Sequence, residues 1–340
     1  MASEDYPSAV RTGVMAAGRL LRELGLQGQI QERGGNVDIF AVFQTIDLPL
    51  LIRPLKGLLG AYLSYPDHGV LVTTERPMSI QRWTAAHELG HYTLKHKPSL
   101  DDEDVLRRMP MSAPAIGGDF QEDEANAFAT AFLMPRWLLI WHAQRQGWTV
   151  DDFHKPAIVY QLSLRLGASY EATCWTLARN NFLVPSGAEE VLKTKPRALK
   201  ADLLGAHRPT NYKGDVWLLT ERDAGTAIDG SHNDLFVLRL PEHAGGGYLW
   251  NIEQLRDSGF AIVRNETETY VHDDDAIGGP VIRRVTAESP EAHRGRMSIA
   301  ERRPWDPDPP LKTMAVEYDF TGPEVAGLSR AERRSLLDAA

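Results

Sequence analysis

The chain is expected to be a multidomain α+β protein. Its N-terminal part reads as helical with a small sheet, followed by a helix-turn-helix-like unit and a C-terminal β-sandwich. Three observations support this. Apolar residues recur at helical spacing through the first half, short β-rich runs replace them beyond Tyr212, and a length of 340 residues suggests two or three domains. The boundaries implied are 1–148, 149–208 and 209–322, with 323–340 as a C-terminal tail.

Ala9 to Leu26 has helical periodicity and ends in a region punctuated by Gly25 and Gly28. Arg33-Gly34-Gly35 is a turn, and Asp38 to Leu48 reads as another helix. The apolar stretch from Ile46 to Leu63 is interrupted by Asp47, Arg53 and Lys56, too often for a membrane span. Gly69 to Thr74 alternates weakly and predicts a strand, with an edge to offer an extended substrate.

The most informative stretch is HELGH, His87–His91, which closes a helix opening at Ile80. Two histidines four apart on a helix share one face, so both imidazoles can reach one ion. Glu88 projects beside them, where it can take a proton from a water held there. Trp83, Ala86, Leu89, Gly90 and Leu94 surround the motif with small and apolar groups, and buried imidazoles are costly unless paired or metal-bound. Ser99 to Gly118, rich in Asp, Pro and Gly, reads as a loop.

Catalytic zinc usually takes three protein ligands and leaves one position open. The third is sought in Gln121 to Pro135. There Ala125, Phe128, Ala129, Phe132 and Leu133 define a core-facing stripe, and Pro135 ends the helix. Glu122 falls within roughly 50° of that stripe's centre and Glu124 about 110° away. Glu122 is the expected ligand, Glu124 the alternative, and Asn126, one turn on, a supporting residue.

With both motifs in place, Gly34 to Pro135 resembles the ImmA/IrrE family of bacterial zinc peptidases, and the wider likeness covers about residues 10–205. QRWTAAHELGHYTLKH and EDEANAFATAFLMP carry it. The resemblance implies a gluzincin-like metallopeptidase core with Zn²⁺ held by His87, His91 and Glu122, and Glu88 as catalytic base. It also implies a protein substrate, a helix-turn-helix repressor whose cleavage derepresses stress or mobile-element genes. His96 is expected to be structural rather than a ligand.

Beyond Pro135 a helix runs from Trp137 to Gln146 and breaks at Gly147. Ala157 to Leu177 has a helix-turn-helix rhythm, with Gly167 at the turn and Ser169 capping a second helix that starts at Tyr170. The exposed face expected for that helix, Glu171, Thr173 and Thr176, is a poor base-reading set, so DNA binding is not expected. Ser186 to His207 reads as a linker with some helix.

Asp215–Leu219, Leu235–Leu240, Tyr248–Ile252, Phe260–Val263 and Met314–Tyr318 are short strand-like runs, which at this spacing suggest a sandwich of about 110 residues. Gly247-Tyr248-Leu249-Trp250, Ile277-Gly278-Gly279-Pro280 and Arg303-Pro304-Trp305 follow one another in an order that resembles chagasin-type inhibitors of papain-like proteases. That resemblance implies an immunoglobulin-like module presenting three loops, and thus a protein partner. Glu242-His243-Ala244-Gly245 replaces the usual NPTT, and the middle loop is one glycine short.

The formal charge of −9 argues against a general nucleic-acid or anionic-membrane binder. A single cysteine, Cys174, forbids an intrachain disulfide, and the acidic, polar start resembles no signal peptide, so a cytoplasmic site is expected. Two other functions stay open: a DNA-binding or sensor regulator using the peptidase fold, and a partner-binding or protease-inhibiting module acting through the sandwich.

Overall fold

The computed structural model describes residues 6–102, 120–209, 212–268, 281–289, 291–306 and 308–338. Helix α1 (Tyr6–Glu23) buries Ala9, Gly13, Ala16, Ala17 and Leu21. The expected single helix through Leu26 is broken at Gly25, whose φ of 61° no helix tolerates, and α2 (Leu26–Arg33) follows. Asp38 caps α3 (Ile39–Thr45), its carboxylate accepting from the Ala41 amide at 3.2 Å.

The apolar stretch that follows yields two strands for which the sequence reading proposed no element, β1 (Leu50–Arg53) and β2 (Leu58–Leu63). They join β3 (Gly69–Thr73) and β4 (Ser99–Asp102), so the start of the expected Ser99–Gly118 loop is a strand. Residues 103–118 of that loop lie outside the described residues. β3 pairs parallel with β1 on one side and antiparallel with β2 on the other. Its backbone groups are therefore spent, and it has no edge to offer a substrate.

Helix α4 (Met78–Leu94), which carries HELGH, packs on β2 and β3. Helix α5 (Gln121–Leu133) lies between α1 and α4. The approach is close because the contacting residues are small. A Cβ on Gly13 would fall 2.2 Å from the Glu124 carbonyl oxygen, and one on Gly90 would fall 3.2 Å from Ala125 Cα.

Helix α6 (Arg136–Gln146) ends at Gly147, φ 67°, as expected. Helices α7 (Pro156–Leu166) and α8 (Tyr170–Arg179) turn at Gly167, φ 63°, and Ser169 caps α8 by accepting from the Ala172 amide at 3.1 Å. Thr173 and Thr176, expected on the exposed face, are buried. Their hydroxyls donate to the Ser169 and Ala172 carbonyls of their own helix. The expected linker is two helices, α9 (Pro185–Lys193) and α10 (Pro196–Leu204), each begun by a proline at its first position. α9 packs on α8, and the packing covers what periodicity alone left ambiguous.

Two four-stranded sheets form the C-terminal half. One runs β5 (Val216–Leu219), β7 (Leu235–Glu242), β10 (Val281–Glu288), β9 (Ala261–Glu268). The other runs β6 (Ala227–Asp229), β12 (Lys312–Asp319), β11 (Arg294–Arg302), β8 (Leu249–Trp250). β6, β10 and β11 have no counterpart in the sequence reading. Phe236, Leu238, Leu240, Trp250, Val285, Met297, Ile299, Met314 and Val316 fill the space between the sheets.

The edge strand β5 is capped by α7 side chains. Gln161 donates to the Val216 carbonyl and accepts from the Leu218 amide, each at 2.8 Å. The Tyr160 hydroxyl accepts from the Val216 amide at 2.9 Å, and Arg165 donates to the Leu218 carbonyl at 2.9 Å. One buried apolar cluster extends from Ala16 to Ala331, and a smaller one gathers Leu204, Val216, Leu235 and Val237. After the short α11 (Glu253–Asp257), residues 327–338 close the first sheet: β13 (Gly327–Leu328) pairs antiparallel with β1, and α12 (Arg330–Asp338) packs on α3. No helix among the described residues is long and apolar enough to cross a membrane.

Candidate metal centre

His87, Glu88 and His91 stand on α4, and all three are fully buried. The indole of Trp83, one turn earlier, stacks on the His87 ring at 5.1 Å between centroids. The Nε2 atoms of His87 and His91 lie 3.0 Å apart. From α5, Glu122 brings Oε2 to 3.3 Å from His87 Nε2 and Oε1 to 3.5 Å from His91 Nε2. These three are a group able to hold a metal ion. Ligand atoms on a tetrahedral ion with bonds of about 2.0–2.1 Å sit about 3.4 Å apart, so the observed separations fit such an ion. Two imidazoles and a carboxylate are also the donor set that a divalent cation of intermediate softness prefers.

Glu124, the alternative third ligand, turns elsewhere. Its Oε2 lies 2.7 Å from His96 Nε2, and His96 Nδ1 lies 3.0 Å from His91 Nδ1. Glu124 is the more buried of the two acids, against the ranking that the apolar stripe gave. The stripe assumed one buried face; α5 has two, because α1 covers one side and α4 the other. Asn126, expected to support the site, has a buried Oδ1 without a hydrogen-bond partner among the described residues.

Two features escaped sequence reasoning. The first is Gly60 on β2: a Cβ there would fall 2.7 Å from Glu88 Oε1 and 2.5 Å from Thr84 Cγ2. A glycine inside a strand marks such a close approach and is the signal that would have found it. The second is the anchoring of α4 at its start. Gln81 donates to the Thr73 and Glu324 carbonyls at 3.1 Å each, and accepts from the Glu324 amide at 2.7 Å. Arg82 donates to the Val37 carbonyl at 2.6 Å and lies 3.5 Å from Asp229 of β6. Burial pushes Arg82 down and Asp229 up, and each charge opposes the other's shift. Arg330 of α12 binds Glu324 at 2.5 Å and Asp229 at 3.4 Å. The site helix is thus tied to both the sandwich and the C-terminal segment.

At the sandwich loops, Arg303 stacks over Tyr248 at 4.5 Å and donates to the Gly246 carbonyl at 3.0 Å. Trp305 is 73% exposed and lies so close over Gly247, φ 79°, that a Cβ there would fall 2.8 Å from the indole. The residues replacing NPTT act as tethers. Buried Glu242 accepts from Arg283 at 2.7 Å and from the Trp250 amide at 3.0 Å, while buried Glu301 accepts from the His243 amide at 2.6 Å. The middle loop, Ile277–Pro280, lies outside the described residues.

Residues 44–178 match the family model of the IrrE N-terminal-like domain, and residues 231–318 match that of the chagasin family of peptidase inhibitors. Amoebiasin-2 of Entamoeba histolytica is 26% identical over 97 residues, 28% of this chain and 78% of that protein. Among solved structures, the cysteine protease inhibitor EhICP2 from Entamoeba histolytica is 22% identical with a TM-score of 0.28, covering 31% of this chain and 95% of its own. Amebosin is 21% identical with a TM-score of 0.25, covering 30% and 94%.

Proposed function

We propose that this chain is a zinc-dependent metalloendopeptidase of gluzincin type, with His87, His91 and Glu122 as metal ligands and Glu88 as catalytic base. The observation that carries the reading is the meeting of those three donors, from two helices, at separations of 3.0–3.5 Å. The match of residues 44–178 to a peptidase family supports it. When bound, zinc would supply the Lewis acidity that polarises the scissile carbonyl. Glu88 takes the proton of the attacking water and returns it to the leaving amine. The burial of Glu88, under Gly60 and beside His87, holds that carboxylate in one place and excludes bulk water from it.

The substrate we favour is a helix-turn-helix repressor, cleaved in the cytoplasm to derepress stress or mobile-element genes; the family resemblance supports this choice. In this arrangement residues 1–148 form the peptidase, 149–208 a helical adaptor, 209–322 an immunoglobulin-like sandwich and 323–340 a tail that serves the peptidase sheet. Glu88→Gln should abolish peptide cleavage while zinc content by mass spectrometry stays stoichiometric. An active, zinc-loaded Glu88→Gln protein would falsify the assignment of the base.

A second activity is favoured by Trp305, an indole left 73% exposed beside the Tyr248–Arg303 stack. Large aromatics exposed at loop tips are typical binding anchors. We propose that this loop pair docks a papain-like cysteine protease. The intact chain should inhibit such a protease, and Trp305→Ala should weaken inhibition at least tenfold without changing peptidase activity. Equal inhibition by both proteins would remove Trp305 from the contact.

A further inference from the structure

We infer that Glu124 and His96 are positioning residues that fix the tautomer and orientation of His91, so that its Nε2 lone pair points at Glu122 and His87 before any ion arrives. The inference rests on the ligand assignment above and deepens it. Its basis is a chain of two hydrogen bonds that, with both rings neutral and Glu124 ionised, runs in one direction. A carboxylate only accepts, so Glu124 Oε2 at 2.7 Å places the His96 proton on Nε2. The neutral His96 ring then has a lone pair on Nδ1. That atom faces His91 Nδ1 at 3.0 Å, so His91 must carry its proton on Nδ1 and keep Nε2 bare. His91 Nε2 is the atom that lies 3.0 Å from His87 Nε2 and 3.5 Å from Glu122.

The backbone is arranged for this relay. Lys95 closes α4 in the left-handed conformation, φ 58° and ψ 40°, which folds the chain back over the last helical turn. The His96 amide then donates to the His91 carbonyl at 2.9 Å, and its ring comes to lie 5.0 Å from the His91 ring, nearly perpendicular. At the other end, α1 lies directly against the Glu124 backbone at Gly13, so the carboxylate springs from a fixed point. Both relay side chains are largely removed from water, His96 at 6% and Glu124 at 12% exposure. Water therefore offers little competition for their hydrogen bonds. A metal-ligating histidine commonly donates its other nitrogen to a carboxylate directly; here a second imidazole is interposed.

The test compares zinc dissociation constants, by competition with a chromophoric chelator, for the full-length wild type, Glu122→Ala, Glu124→Ala, His96→Phe and the double variant Glu124→Ala/His96→Phe. Each relay variant should bind zinc about 10- to 100-fold more weakly. The double variant should be no worse than the weaker single, because both changes break one series connection. Nitrogen-15 correlation spectra of the metal-free protein should show the Nδ1–H tautomer of His91 in the wild type and a tautomer mixture in both relay variants. Merely structural roles would leave that tautomer unchanged and would make the two losses additive; either result overturns the relay. If Glu122→Ala binds zinc as tightly as the wild type, the ligand assignment itself fails. If only Glu122→Ala weakens binding, the ligands stand and the relay falls.

Discussion

At Gly60 a Cβ would sit 2.5 Å from Thr84 Cγ2, 2.7 Å from Glu88 Oε1 and 3.0 Å from the Leu71 carbonyl. The Leu71 contact belongs to the neighbouring strand and cannot yield, so the strain of an added methyl falls on Thr84 and on the end of Glu88. Gly60→Ala should therefore displace the Glu88 carboxylate while leaving all three proposed ligands in place. We expect kcat/KM to fall about 100-fold, the order of loss that follows a 1 Å misplacement of a reacting group. Stability should fall by about 1–3 kcal/mol, the range for an overpacked core. Adding Thr84→Ser removes one of the colliding groups and should restore part of the stability, but not the activity, because the Glu88 contact remains. Urea midpoints and zinc content measured beside the kinetics separate these effects, and full activity in Gly60→Ala would show that the carboxylate works from another position.

Helix α7 shows how an element can satisfy its own pattern and still serve a neighbour. Its apolar face was legible as half of a helix-turn-helix, and Gly167 and Ser169 turned and capped the pair as their chemistry requires. Tyr160, Gln161 and Arg165 of the same helix bind the edge of β5 and Asp223. Arg165 and Asp223 meet at 2.8 Å with side chains 6% and 4% exposed. Removing one partner of such a pair leaves a buried charge unmatched, so Arg165→Ala should cost about 3–5 kcal/mol in chemical denaturation. Arg165→Ala/Asp223→Ala should cost less than the single change. An exposed-pair value below about 1 kcal/mol would mean that α7 does not hold the strand. The same distinction explains what the sequence revealed of the fold. HELGH, the stripe from Ala125 to Leu133, and the five β-rich runs each follow a local period, and each became an element. β1 and β2 sit in an apolar stretch without alternation, and β10 and β11 carry arginines through their length, so no local pattern marked them. Glu122 was put forward because its angle to the stripe faced it inward, and it stands 3.3 and 3.5 Å from the two histidines although Glu124 is the more buried. The role of Glu124 depends on α1 and on the fold-back at Lys95, which no window of neighbouring residues contains.

Across the whole molecule, the two halves share structure that neither supplies alone. Residues 327–328 add a strand to the N-terminal sheet, and Glu324 and Arg330 reach Gln81 and Asp229, while Arg82, five residues before His87, completes the same charged knot. The larger buried apolar cluster is continuous from Ala16 to Ala331, so the intact chain should unfold in one transition rather than as separate N-terminal and sandwich units. Ending the chain at Thr321 tests this arrangement. The deletion bares the backbone edge of β1, removes both bonds between Gln81 and Glu324, and leaves buried Arg82 and half-buried Asp229 without Arg330. Each unmet buried polar group costs about 1–3 kcal/mol, so a loss of several kcal/mol is expected. The melting temperature should fall by about 10 °C or more, since 1 kcal/mol shifts it by about 2–4 °C in domains of this order of size. An uncovered strand edge also invites pairing between copies, so light scattering should show association of the truncated protein. Zinc affinity should fall too, because α4 loses the ties that fix its first turn and the histidines ride on that helix. A truncated chain that stays monomeric, melts with the full-length protein and binds zinc equally well would show that the C-terminal segment only rests on the N-terminal half.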